Sequence, residues 1–186
     1  MKNLYFLFIM TLAITTFSAC SNNDSTTVIV KEYESCCGLD PVVVTINKAT
    51  LYIPNVFTPN ADGVNDRFIP ITNQNIFGIT DYVLTDTAEN TLYSRVVLNL
   101  IDGFEDNAWN GLDVNGKPYK GPFNYYFTVV TKSGEAKFIK GKACCIVCGA
   151  DASVFKTKEG CYYSTQATKD GTLDKTLSNK ESDCFK

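Results

Sequence analysis

Residues 123–147 read Phe123-Asn-Tyr-Tyr-Phe-Thr-Val-Val-Thr131, then Lys132-Ser-Gly-Glu135, then Ala136-Lys-Phe-Ile-Lys-Gly-Lys-Ala-Cys-Cys-Ile-Val147. In the first run Tyr125, Phe127 and Val129 alternate with Tyr126, Thr128 and Val130. Strand side chains point to opposite faces with period two, so both faces here are fairly apolar. That suits a central strand packed on at least one side. The four residues between the runs are polar and carry a glycine, a hairpin signal.

Working outward, short runs rich in β-branched residues continue on the N-terminal side. Val28–Glu34 and Val42–Ile46 flank Cys36-Cys37-Gly38, an expected turn. Leu51–Phe57 reads as a strand whose Pro54 marks an edge or a strand end. Arg67–Ile71, Ile79–Asp86 and Leu92–Ile101 complete the set. The one helical hint is Asp170–Lys180, where Leu173 and Leu177 stand four apart. Many short strands between Gly, Asn, Asp and Pro turns, with no long helical period, predict an all-β chain folded as a β-sandwich.

The N-terminus has a different character. Lys2 supplies a positive start, Leu4–Phe17 is apolar, and Ser18-Ala19 puts small residues before Cys20. This order predicts a signal peptide over residues 1–19. A spanning helix needs about 20 apolar residues, and this run is shorter and broken by Thr11, Thr15 and Thr16. Phe17-Ser18-Ala19-Cys20 resembles the lipobox of bacterial lipoproteins, which implies diacylation of Cys20 and cleavage just before it. The competing reading is an ordinary signal peptide with a chance cysteine. Multiple acyl chains are what make such an anchor stable, since one chain alone holds only marginally. Residues 20–27 then read as a small, polar tether.

Removal of residues 1–19 leaves 167 of the 186, enough for one domain with extensions. The mature chain keeps 16 of the 17 basic residues against 20 acidic ones. This mild acidity argues against phosphate-tracking nucleic-acid binding, which needs a basic face. Histidine is absent. That removes the commonest general base, the Ser-His and Cys-His pairs and the commonest zinc ligand. A non-enzyme is the expectation.

Residues 54–68 read Pro-Asn-Val-Phe-Thr-Pro-Asn-Ala-Asp-Gly-Val-Asn-Asp-Arg-Phe. This stretch closely resembles the opening signature of the gliding-motility-associated C-terminal domain found in many proteins of Bacteroidota. Trp109-Asn110-Gly111, Asn115-Gly116-Lys117, Gly121–Phe127 and Gly134–Gly141 resemble that family's later motifs, in the same order. The resemblance covers roughly residues 50–142. It implies an immunoglobulin-like sandwich and a link to type IX secretion, where such domains act as C-terminal sorting signals. Two features depart from the family. Some 44 residues follow Lys142, five of them cysteines, and Ala88-Glu89-Asn90 stands near the place of the family's Arg-Trp-Gly turn. A lipoprotein also has its own route to the outer membrane. The expectation is a sorting-type fold without the sorting role.

Within the signature, Asn60, Asp62, Asn65 and Asp66 set four oxygen-bearing side chains around Gly63. Such density suits Ca²⁺, and the spacing is similar to part of an EF-hand loop, without its bidentate Glu. The other reading is a turn capped by side chain to backbone hydrogen bonds, which Asp and Asn make routinely. Trp109, the only tryptophan, reads either as a sugar-stacking platform or as a buried anchor. Asp102, Glu105 and Asp106 pose as paired catalytic carboxylates, or as a solvated acidic loop. Asp24-Ser25-Thr26 and Asp86-Thr87-Ala88 resemble a short O-glycosylation motif of Bacteroidota.

Eight cysteines in an exported chain imply disulfides. Lipidation takes Cys20. Cys36, Cys37, Cys144, Cys145, Cys148, Cys161 and Cys184 remain, an odd set, so at least one is free or bonded to another molecule. Cys145 and Cys148 form a C-x-x-C. No helix start or histidine is evident to activate it, so a structural disulfide is preferred to thiol redox chemistry. A structural four-cysteine zinc site has the right ligand type, but oxidation competes with it outside the cytoplasm. A bridge from Cys36 or Cys37 to Cys144 or Cys145 would staple the ends of the domain across roughly 108 residues, for about 4 to 5 kcal/mol. Cys148, Cys161 and Cys184 would pin the tail. Bonding of Cys36 and Cys37 only within the N-terminal segment would remove the staple.

The resulting organisation is a signal peptide over 1–19, a tether over 20–27 and an N-terminal β extension over 28–48. An immunoglobulin-like domain over 49–142 and a Cys-rich tail over 143–186 follow. The expected function is that of an envelope-anchored, non-catalytic structural or interaction lipoprotein of the outer membrane, facing either the periplasm or the outside. Its expected partners are the membrane through the lipid, envelope proteins and surface glycans. The alternatives are a calcium- or glycan-dependent binding module and a thiol oxidoreductase.

Overall fold

The computed structural model describes residues 35–98, 107–149 and 159–182, with residues 152, 155 and 184. The signal peptide, Cys20 and the tether lie outside the described residues, as do the expected strand Val28–Glu34 and the end of the strand drawn to Ile101. So do Asp102, Glu105, Asp106 and the Asp24-Ser25-Thr26 motif.

Strands form where the β-branched and aromatic runs stand. In chain order they are β1 (Val42–Ile46), β2 (Ala49–Ile53), β3 (Val56–Phe57), β4 (Ile71–Thr72), β5 (Ile76–Thr85), β6 (Thr91–Leu98), β7 (Gly121–Thr131) and β8 (Ala136–Cys145). They make two sheets, one ordered β1-β2-β4 and one ordered β3-β8-β7-β5-β6. The expected hairpin is the middle of the larger sheet. β7 and β8 pair from Gly121↔Cys145 to Val130↔Ala136. Their turn is closed by Thr131 N–H, which donates to Glu135 O at 2.8 Å, and Gly134 takes the positive φ (87°) that the turn requires. Phe123, Tyr125, Phe127 and Val129 point into the core, while Tyr126, Thr128 and Val130 are only half-buried on the other face. β7 is therefore central and packed on one face.

The strand expected over Leu51–Phe57 is two strands in different sheets. The corner is Pro54-Asn55. Pro54 cannot donate to a ladder. Asn55 is fully buried; its backbone O still accepts from Cys144 N–H at 2.8 Å, and its side chain holds other segments. Its amide donates to Leu39 O and Gly160 O, each at 2.6 Å, and its Oδ1 accepts from Tyr162 N–H at 2.8 Å. Past the corner, β3 runs parallel to β8. The strand expected over Arg67–Ile71 shrinks to β4 and an isolated bridge between Phe68 and Trp109, with Pro70 interrupting between them.

The helix hinted at over Asp170–Lys180 is not formed; the segment is a chain of turns. Its own side chains capture the backbone N–H groups that a helix would use. Thr168 Oγ1 accepts from Asp170 and Thr172, Asp174 Oδ1 from Thr176, and Ser178 Oγ from Lys180. Gly171 has φ +67°, and a Cβ there would lie 2.6 Å from Thr50 O, so this turn is pressed against β2.

Both sheets contribute to one apolar core. Leu51 and Ile53 of the smaller sheet join Phe57, Tyr82, Phe123 and Phe127 of the larger one. The aromatic centre is Trp109, 4.9 Å from Phe123 and 5.2 Å from Phe57 between ring centroids. A second cluster, with Val56, Ile146, Phe155 and Tyr163, surrounds the cystines. The disulfides are Cys36–Cys161, Cys37–Cys144 and Cys148–Cys184, and Cys145 is free and buried. The staple thus joins Cys37 to Cys144. The tail is pinned twice, by Cys161 to Cys36 at the turn before β1 and by Cys184 to Cys148. The turn at Cys36-Cys37-Gly38 has three successive positive φ values (54°, 60° and 65°). It sends the two neighbouring cysteines to different partners.

The organisation drawn from sequence cuts through these units. The division at 48/49 falls in the β1–β2 hairpin, and that at 142/143 falls inside β8.

Candidate functional site

The signature loop sits where β3 leaves the core, closed by Thr58 N–H, which donates to Asn65 O at 2.9 Å. Three of its four oxygen-bearing side chains, Asn60, Asp62 and Asp66, do come together, but they face N–H groups. Asp66 Oδ1 accepts from Asn60 N–H (2.8 Å) and Ala61 N–H (2.6 Å), and Oδ2 accepts from Gly63 N–H (2.7 Å). Asp62 Oδ1 accepts from Val64 N–H (2.8 Å), and Oδ2 accepts from the Asn60 amide (2.8 Å). Every carboxylate oxygen of the loop thus has a donor, and a cation at its centre would meet amide hydrogens. The arrangement favours turn capping over Ca²⁺ coordination. Among the described residues, no three Cys, Asp or Glu side chains cluster closely enough to hold a metal ion. Asp66→Ala strands three N–H groups, and is expected to lower stability by about 1–3 kcal/mol. Urea unfolding reads this out, with Asp66→Asn, which keeps one acceptor oxygen, losing less.

Asn65 works differently from its neighbours. It is buried, with φ +51°, and its side chain reaches the C-terminal segment. Its amide donates to Asn179 O (2.9 Å) and Glu181 Oε1 (2.8 Å), and its Oδ1 accepts from Ser164 Oγ (2.9 Å) and Thr165 N–H (3.2 Å). Glu181 Oε1 also accepts from the Thr58 hydroxyl. Glu181, Thr58 and Asn55 were not singled out from sequence. Most of their partners lie more than a hundred residues away, and no local pattern marks them.

Beside the loop lies an open cavity of about 570 Å³, lined by Pro59, Asn60, Asp66, Arg67, Asn110 and Leu112 among others. Arg67 is held by one N–H on Ala108 O at 3.1 Å. The walls mix apolar and polar groups, and Trp109 is not among them. Trp109 is fully buried and donates its indole N–H to Leu112 O at 2.6 Å, which overturns the sugar-platform reading. Behind it, Gly111 has φ +79°, and a Cβ there would meet Pro59 Cγ at 2.6 Å.

The C-x-x-C is not a redox pair. Cys148 is bonded to Cys184, and Cys145 lies on β8, its thiol 3.2 Å from Tyr119 O. Cys145 is thus the exception among the disulfide candidates. Burial pushes its thiol up, away from the reactive thiolate. Native protein is expected to resist iodoacetamide, with one thiol becoming reactive only after denaturation without reductant; intact mass measures both. In Asp86-Thr87-Ala88, Asp86 caps the β5–β6 turn. Its carboxylate accepts from Ala88 N–H, Asn90 N–H and the Asn90 amide, and these bonds, the Asn90 amide foremost, hold it below its ordinary pKa. Thr87 is exposed beside it.

No family model matches the chain, and no curated protein matches it.

Proposed function

We propose that the chain is an envelope-anchored, non-catalytic interaction lipoprotein. It is held by lipid on Cys20 and displays an immunoglobulin-like sandwich of the gliding-motility-associated type. The observation that carries this reading is the cystine framework. Two disulfides tie the turn before β1 to the end of β8 and to the segment after it, and a third closes that segment on itself, which suits a chain matured in an oxidising compartment.

The strand order supports the immunoglobulin-like assignment. The order β8-β7-β5-β6 corresponds to the G-F-C-C′ sheet of variable-type domains, and a strand that switches sheets at a corner matches β2 and β3. Within the signature residues 54–68, β3 leads into one closed loop from Thr58 to Asn65 beside that corner, as expected of a structural motif. The polar groups of that loop hold its own turn or the C-terminal segment, in keeping with a structural rather than a chemical role. Display at the outer membrane leaves envelope proteins and surface glycans as partners, with the open cavity beside the loop as the place to meet them.

Metabolic labelling with a radioactive fatty acid tests the anchor. Label is expected in the wild-type chain and not in Cys20→Ser; an unlabelled wild-type chain would overturn the proposal. Protease treatment of intact cells then reports which face of the membrane the domain meets.

A further inference from the structure

Glu181 is 3 % exposed and packs against the signature loop. Its Oε1 is shared by the Thr58 hydroxyl and the Asn65 amide. Its Oε2 is buried with no hydrogen-bond partner among the described residues. A neutral carboxyl is tolerated in such a place. A carboxylate is not well served there, because its charge is withdrawn from water and one oxygen is unpaired. The charged groups acting on it, Asp62 and Asp66 of the signature loop, have the same sign, and among the described residues no lysine or arginine counters them. A further titratable neighbour among the described residues is Tyr163, whose hydroxyl is pushed up by burial first and by Glu181 second.

The segment carrying Glu181 is tied at both ends. Cys161 is bonded to Cys36, and Cys184 to Cys148. Between them the segment grips the loop through Asn65, which takes hydrogen bonds from Ser164 and Thr165 and gives them to Asn179 and Glu181. We propose that the chain between Cys161 and Cys184 is a latch on the signature loop, closed while Glu181 is neutral and loosened as Glu181 takes up charge. The two disulfides make opening reversible. Opening also remodels the cavity beside the loop, since Asn65 and Ser164 line it.

The direction in pH follows from the same contacts. Burial foremost, then Asp62 and Asp66, push the Glu181 carboxyl above its ordinary 4.5, against the opposing hydrogen bonds from Thr58 and Asn65. A carboxyl raised in the closed state favours closure fully below the ordinary value. That advantage is lost as pH rises through the raised value.

Hydrogen exchange read by mass spectrometry tests the latch. The amides of Thr165, Gln166 and Asp174, which donate to Asn65 Oδ1, Tyr163 O and Gln166 O, are compared in the wild-type chain and in Glu181→Gln. Between about pH 5 and about pH 8, the ratio of wild-type to variant exchange is expected to rise, by up to about tenfold for each pH unit between the ordinary and the raised value. Amides of β7 should show no such trend. A ratio constant with pH would overturn the latch. Carbon-13 titration of the Glu181 side chain in the wild-type protein gives a check that does not depend on the variant folding. A midpoint above 4.5 supports the latch, and one at or below 4.5 overturns it.

Discussion

A chain carrying Cys36→Ser, Cys37→Ser, Cys144→Ser and Cys161→Ser together is expected to be unfolded in plain buffer. Cys37→Ser with Cys144→Ser alone is expected to stay folded and to lose about 3 kcal/mol. The two bridges span 125 and 107 residues. Taken singly, each closes a loop for which chain entropy gives about 4 to 5 kcal/mol. They are not independent, because their N-terminal cysteines are adjacent. With Cys36–Cys161 in place, Cys37 and Cys144 are already joined by a path of only about 18 residues, so the second bridge adds about 3 kcal/mol. Loss of both then removes about 8 kcal/mol, against about 5–15 kcal/mol for a whole domain. The packing of Phe155 and Tyr163 around the cystines should go with them. Circular dichroism and urea unfolding decide the matter. A quadruple variant that unfolds cooperatively at nearly the wild-type urea concentration would refute the double staple.

Much of this fold can be read locally, and the limits have physical causes. The β7–β8 hairpin is legible because alternation and turn chemistry lie within one stretch of chain. Pro54 is legible as a strand end. That it marks a change of sheet is not, because the change depends on Asn55 finding Leu39, Gly160 and Tyr162. The hint of a helix after Asp170 came from two leucines. It fails because Leu173 bridges to Ala167 and Leu177 stays largely exposed, while Thr, Asp and Ser side chains hold the backbone in turns. An odd number of cysteines implies one that is free or bonded to another molecule, but choosing Cys145 required knowing that it faces Tyr119 inside the core rather than Cys37. At the candidate site, the sequence marks Asn60, Asp62, Asn65 and Asp66 as a group. It does not separate Asp66, which shapes the turn, from Asn65, which holds a segment more than a hundred residues away.

The second large effect is expected at Trp109. Trp109→Ala should cost about 3–5 kcal/mol, the range for truncating a buried large aromatic. The side chain is fully buried and touches the rings of Phe57, Tyr119 and Phe123 at 4.9–5.8 Å between centroids. It also joins separate parts of the chain. Its backbone O accepts from Phe68 N–H at 3.0 Å, and its indole N–H holds the turn at Leu112. Alanine would open a cavity and leave Leu112 O without that donor. Trp109→Phe keeps a ring in the cluster but not the donor, so it should lose less than alanine, and the difference between them isolates the packing contribution. Urea unfolding followed by circular dichroism measures both. The same burial predicts that native tryptophan fluorescence resists acrylamide quenching and does not change with added oligosaccharides, because no face of the ring is open to them. A glycan that did shift this fluorescence would have to act through the cavity beside Arg67 and Leu112, displacing the turn that Trp109 holds.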